Sequence, residues 1–272
     1  QVHAGAWLKP KGHGYLQLSF THLYYDHLLN SSVGIETMQR GVRDMTLQVY
    51  GEYGITDKLN VLGVIPYKMV QTGSETLTPP SEIPTVLIDT INEGELSGMS
   101  NLQFGLKYLI HAKKYVVSAQ FFASNPEGSY DDSTGLRIGY DAWTFTPSVL
   151  IGRGFSKTYF SGELGYQLRD NGYAHNFIAA GEFGYKWSRE NSHTWLMFVV
   201  NAKIPVTTGT FNERKGYQNA LYRDNSGYVS PGLKVNQLMA ENVYLTLGGY
   251  GAFWAKNEGG GATISLGLSY EW

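Results

Sequence analysis

The residues best placed to do chemistry in this chain are charged side chains in the polar phase of segments that alternate polar and apolar. They are Glu52, Lys107, Glu163, Glu182, Lys186, Lys203 and Lys234, with Gln48, Gln103, Gln120, Asn176, Asn201 and Asn236 between them. Successive side chains of a strand point to opposite faces, so these residues share the face turned away from the apolar positions. Their signs are mixed and nearly balanced. A strongly selective ion pore needs a ring of one sign. The set therefore implies either a weakly selective aqueous path or an internal salt-bridge network, and the network is favoured. Tyr50, Phe122, Tyr159, Trp195, Tyr228, Tyr244, Tyr250 and Trp254 occupy the same phase, where aromatic rings either fill space or line a route for apolar or aromatic solutes.

Catalysis finds little support. There is no Cys, which excludes disulfides, thiolate metal sites and Cys nucleophiles. The His residues, at positions 3, 13, 22, 27, 111, 175 and 193, are dispersed and show no metal-ligand spacing. The outer-membrane phospholipase family sets a His base two residues from its Ser nucleophile. The nearest match here, Asp131-Asp132-Ser133-Thr134-Gly135, carries Asp131 at that position. His22 and His27 stand near one end of their segment, as an omptin-type protease would need, but without a partner motif. Gly259-Gly260-Gly261 lacks the Lys-Ser/Thr of a phosphate loop. The net charge of −2 supplies no basic surface for a nucleic acid. No enzymatic activity, cofactor, metal or nucleic-acid partner is expected.

The elements that must position the charged residues are read from period-two alternation. In the last eleven residues Ala262, Ile264, Leu266, Leu268, Tyr270 and Trp272 oppose Thr263, Ser265, Gly267, Ser269 and Glu271, the pattern of a strand between lipid and water. An aromatic final residue on such a strand resembles the C-terminal signature of bacterial outer-membrane β-barrels, which their assembly machinery reads. Twelve alternating segments can be followed, beginning near residues 14, 44, 59, 101, 115, 139, 159, 176, 195, 228, 243 and 262. The first and third carry apolar residues on both faces. Charged residues make up 16% of the chain, against about 25% in average soluble domains, with 20 Tyr and 33 Gly. No stretch nears the roughly 18 apolar residues of a membrane helix. The expectation is an all-β fold, a single twelve-stranded antiparallel transmembrane β-barrel over residues 13–272, preceded by a periplasmic segment, residues 1–12. Closure follows because open strand edges in hydrocarbon would leave backbone groups unpaired.

Connections alternate short and long, the long ones including residues 28–41, 71–99, 125–135 and 206–226. Short turns therefore lie at one end, with both termini, on the periplasmic side of an outer membrane. An aromatic girdle supports this: Tyr53, Tyr108, Phe160, Tyr185, Trp187, Tyr270 and Trp272 fall at short-turn ends in the lipid-facing phase. The segment 71–99 holds five acidic residues, no Lys or Arg, and an apolar run containing Ile83, Val86, Leu87, Ile88 and Ile91. That run is a candidate for a constriction in the lumen or a contact with a partner. The N-terminal segment, with Trp7 and Pro10, either enters the barrel from below or touches a periplasmic neighbour.

Gly54-Ile55-Thr56-Asp57-Lys58-Leu59 with Pro66-Tyr67 resembles the recurrent hairpin of the outer-membrane family of meta-pathway phenol-degradation proteins. The resemblance covers one hairpin closely and the remaining chain through strand spacing. It implies an outer-membrane channel for small, often aromatic, molecules, narrow because barrel diameter follows strand number. The alternative is a non-catalytic accessory barrel in a larger outer-membrane complex. Expected partners are outer-membrane lipid and lipopolysaccharide, the barrel-assembly machinery through the C-terminal strand and, in the alternative, other outer-membrane subunits.

Overall fold

The computed structural model describes residues 5–30, 34–76, 90–189, 192–210 and 221–272. Twelve long strands of these residues form the wall. They are β1 (Gly14–Asn30), β2 (Gly34–Thr56), β3 (Leu59–Thr72), β4 (Gln103–Ala112), β5 (Val116–Ser124) and β6 (Thr144–Gly154), then β7 (Thr158–Arg169), β8 (Asn176–Arg189), β9 (Ser192–Pro205), β10 (Gly227–Ala240), β11 (Val243–Gly251) and β12 (Ala262–Glu271). Each strand pairs antiparallel with its neighbours in sequence. The wall closes where β1 meets β12, from Tyr15 opposite Glu271 to Leu23 opposite Thr263. All twelve expected strands are present, and no helix occurs among the described residues.

The expected alternation sorts the side chains. Leu47, Phe104, Val149, Leu164, Phe198, Leu247 and Leu266 stand exposed around the outside of the waist, while Tyr50, Lys107, Ser118, Ser148 and Glu163 face in and are buried. A belt of apolar side chains running all round a barrel far exceeds the few hundred Å² of apolar patch that a soluble monomer exposes. Lipid is its solvent, so this is a transmembrane barrel. The two ambiguous strands resolve through a second inner layer. Leu62 and Val64 of β3 turn inward against Tyr50, Tyr15 and Phe122, and Val61 and Ile65 turn out.

Tyr53, Tyr108, Tyr185, Trp187, Tyr270 and Trp272 are all exposed on the outer surface, and Tyr270 stacks on Trp272 with centroids 5.9 Å apart. A second group toward the opposite end was not foreseen: Trp143 stacks on Phe145, and Phe145 on Phe121, each at 6.2 Å.

One expected loop is a hairpin instead. β1 and β2 run on past the expected break with Leu28 opposite Glu36 and Asn30 opposite Gly34, after a register shift between Tyr25 and His27. Residues 28–30 and 34–41 extend the two strands because their inner face has its own apolar partners. Tyr25, Leu28, Met38 and Val42 bury against Val70 and against Leu136, Ile138 and Leu221 from two other connections. The connection before β6 is pinned there by Ser100 Oγ, which donates to the Ile138 carbonyl at 2.5 Å, and by Arg40 Nη1, which donates to the Thr134 carbonyl at 2.9 Å. The long-loop end of the barrel is thus packed by inward-folded chain. Ile83, Val86, Leu87 and Ile88 lie outside the described residues. Ile91 is described only in its backbone, which pairs with Glu75 in a two-residue ladder.

Candidate functional site

The lumen is the site. From the short-turn end, residues 5–10 enter it. Ser118 Oγ of β5 donates to the Ala6 carbonyl at 2.6 Å, and Lys107 Nζ reaches the carbonyls of Gly5 and Trp7, each at 3.3 Å. Trp7 packs edge-on to Tyr159 at 5.9 Å. The strand-to-strand turn that carries the family-like hairpin holds this segment too, since Asp57 Oδ1 accepts from the Lys11 amide at 3.1 Å. At Gly54 a Cβ atom would run into the Pro10 carbonyl oxygen, so only glycine lets the two backbones come this close. Of the two alternatives for the N-terminal segment, the one inside the barrel is realised.

Two inward ion pairs each bridge a single strand. Lys107 of β4 and Glu52 of β2 meet over β3 at 2.8 Å, and Glu52 also accepts from Asn60 Nδ2 at 2.6 Å and the Tyr50 hydroxyl at 3.0 Å. Lys234 of β10 and Glu182 of β8 meet over β9 at 2.9 Å, with the Tyr159 hydroxyl donating to the same carboxylate at 2.6 Å. Gln120 Nε2 donates to Glu163 at 3.3 Å. Lys203 pairs with Glu258, which lies between β11 and β12, at 2.6 Å. Trp195 packs on Tyr159 at 5.2 Å. These are bonded pairs on the wall, as a space-filling network requires, yet they leave room.

Two chambers occupy that room. The lower, of about 670 Å³, lies above the N-terminal segment and includes Tyr50, Glu52, Glu182, Lys234 and Tyr250 in its lining. The upper, of about 450 Å³, is bordered by Lys68, Tyr140, Arg169, Lys203 and Tyr222. Leu23, Thr46, Gln48, Tyr228, Glu258 and Gly259 line both, so the chambers adjoin. Lys107 and Glu163 belong to the wall beside them, and Lys186 faces inward at the short-turn end of β8 without lining either chamber.

Leu221 and Tyr222, which shape the upper chamber, belong to a connection between strands and carried no alternation by which sequence could place them, whereas Tyr140, inside the expected sixth segment, lies in the connection before β6, which starts only at Thr144. The basic residues Lys68 and Arg169 were equally missed, although both obey the inward phase of their strands.

The Asp131 to Gly135 segment is a turn. The Thr134 and Ser133 hydroxyls both donate to Asp131, at 2.7 and 2.8 Å, as does the Ser133 amide at 2.9 Å. Gly135 takes a φ of 71°. The Thr134 hydroxyl first, then the Ser133 donors, hold the Asp131 carboxyl below its ordinary range. Among the described residues no group of three or more His, Cys, Asp or Glu side chains is arranged to hold a metal.

A closed antiparallel wall with an apolar belt outside and paired charges around chambers inside defines a transmembrane β-barrel of the outer-membrane type. The family described as "Putative MetA-pathway of phenol degradation" matches residues 34–268, and the chain belongs to that family. No curated protein matches it in sequence. Among solved structures it is similar to an outer membrane channel from Pseudomonas putida F1, with a TM-score of 0.71 and 11% identity over 100% of both chains. A mutant of the TodX monoaromatic hydrocarbon channel aligns with a TM-score of 0.50 and 10% identity, over 97% of this chain and 91% of that one. At these identities the likeness is one of fold.

Proposed function

We propose that this chain is a passive channel for small solutes in the bacterial outer membrane, with its short turns and both termini on the periplasmic side. The observation that carries the reading is the pair of adjoining chambers along the lumen, lined by rings, amides and paired charges, between the N-terminal segment and the inward-folded connections. A barrel serving only as a scaffold has no need to keep that space open in an interior where side chains ordinarily pack closely. The mixed lining suits small molecules with one apolar face, in keeping with a barrel of the same fold whose name records a monoaromatic hydrocarbon channel. Its surroundings would be lipid and lipopolysaccharide, and strand β12, with its outward Tyr270 and Trp272, would be the element offered to the assembly machinery.

Single-channel recording in planar bilayers tests this. Discrete conductance steps that grow when residues 1–9 are deleted support the channel. A non-conducting barrel that co-purifies with other outer-membrane subunits would replace it with the accessory role.

A further inference from the structure

The cations and carboxylates bordering the upper chamber do not balance. Lys68, Arg169 and Lys203 face Asp44 and Glu258, three against two. Lys68 is taken by Asp44 and Lys203 by Glu258, each at 2.6 Å. That leaves Arg169. Its Nη2 donates to the Gln167 side-chain oxygen at 2.9 Å, its guanidinium lies 3.9 Å above the Tyr140 ring, and its Nε meets no acceptor. The residue is only 9% exposed.

A ring face and an amide oxygen favour a cation without neutralising it. At so buried a position a guanidinium still attracts an anion, and its planar fork matches a carboxylate bidentately. Beside it the chamber presents aromatic surface. Tyr140 packs edge-on to Tyr222 at 4.9 Å, and Phe122 and Tyr228 line the same space. A volume of about 450 Å³ lies in the range of small-molecule sites, and its wall mixes these rings with polar and charged side chains.

We infer that the upper chamber is a binding subsite for a planar aromatic carboxylate, with Arg169 taking the carboxylate and the rings of Tyr140, Tyr228 and Phe122 taking the aromatic face. This rests on the channel reading for how the ligand arrives. Chloride and other inorganic anions share the charge but gain nothing from the rings, and neutral aromatics share the rings but gain nothing from Arg169.

Isothermal calorimetry on the purified barrel in detergent micelles, with benzoate, benzyl alcohol and chloride as probes, tests the subsite. Benzoate is expected to bind the wild-type protein more tightly than benzyl alcohol does, and to survive competition by an equal concentration of chloride. Arg169→Gln weakens benzoate by about tenfold or more, and Arg169→Lys retains part of the affinity. Equal binding of benzoate and benzyl alcohol to the wild-type protein overturns the inference whether or not the variants fold. So does benzoate binding unchanged in a folded Arg169→Gln barrel. Bilayer conductance recorded on the same preparation separates the two readings. Current without benzoate preference removes the subsite and leaves the channel, and Arg169-dependent binding without current does the reverse.

Discussion

Lys107 Nζ and Glu52 Oε1 lie 2.8 Å apart with the lysine side chain wholly buried, and the same ammonium supports the carbonyls of Gly5 and Trp7. One cation thus ties β2, β4 and the N-terminal segment together. Lys107→Met leaves the Glu52 carboxylate buried with neutral donors only, and breaking one side of such a pair costs about 3–5 kcal/mol. Denaturant unfolding in lipid vesicles should show that loss, and the double variant Lys107→Met with Glu52→Gln should recover most of it. Equal stability of the single variant and the parent would show that the pair carries no such role.

Gly54 bears on the same segment from the other side. Any side chain there displaces the Pro10 carbonyl, so Gly54→Ala should push residues 5–10 away from the wall. Trypsin should then cut after Lys11 faster than in the parent, and bilayer conductance should rise. An unchanged digestion pattern would mean that the segment adjusts without leaving the lumen.

The two faces of β11 should answer differently to charge. Leu247 is half exposed on the outer belt and Thr246 lines the lower chamber. Leu247→Arg is expected to cost about 2–4 kcal/mol, as for a cation placed near the bilayer midplane. Thr246→Arg should cost far less and shift ion selectivity toward anions. Unfolding in vesicles measures the first effect and reversal potentials in a salt gradient the second. Similar destabilisation by both would contradict the assignment of faces.

Asp131 offers a pH test at the long-loop end. Its folded carboxyl is the stronger acid, because Thr134 and then Ser133 donate to it. Its contribution is therefore complete above the ordinary carboxylate range near ~4 and is lost as pH falls through the lower folded value. The Gly135 amide, bonded to the Asp131 carbonyl at 2.7 Å, should lose hydrogen-exchange protection over that window relative to its intrinsic rate. Asp131→Asn should abolish this pH dependence, and protection that stays flat in the parent refutes the assignment.

The wall was legible because lipid and lumen impose opposite demands on alternate residues, so that Tyr53 and Glu52, or Tyr108 and Lys107, declare their faces without reference to anything distant. What alternation could not show is where backbone or inward-folded chain supplies the partner. Leu28 and Met38 read as loop residues because their inner face meets Leu136 and Leu221, remote in sequence and in no strand of the wall. The docking of Gly5, Ala6 and Trp7 runs through carbonyl oxygens, which leave no mark on residue type. Arg169 was passed over although it obeys the inward phase of β7, since only the spatial sum of cations and carboxylates sets it apart.

The bond between His13 Nδ1 and the Trp272 carbonyl, 2.8 Å long, joins positions 259 apart along the chain, at the foot of the seam between β1 and β12. That seam joins the first strand of the wall to the last, so both margins stay unpaired until β12 is in place. Closing it pairs the two ends of the chain, the most non-local contact in the wall, and contacts of that kind make for slow, topology-limited folding.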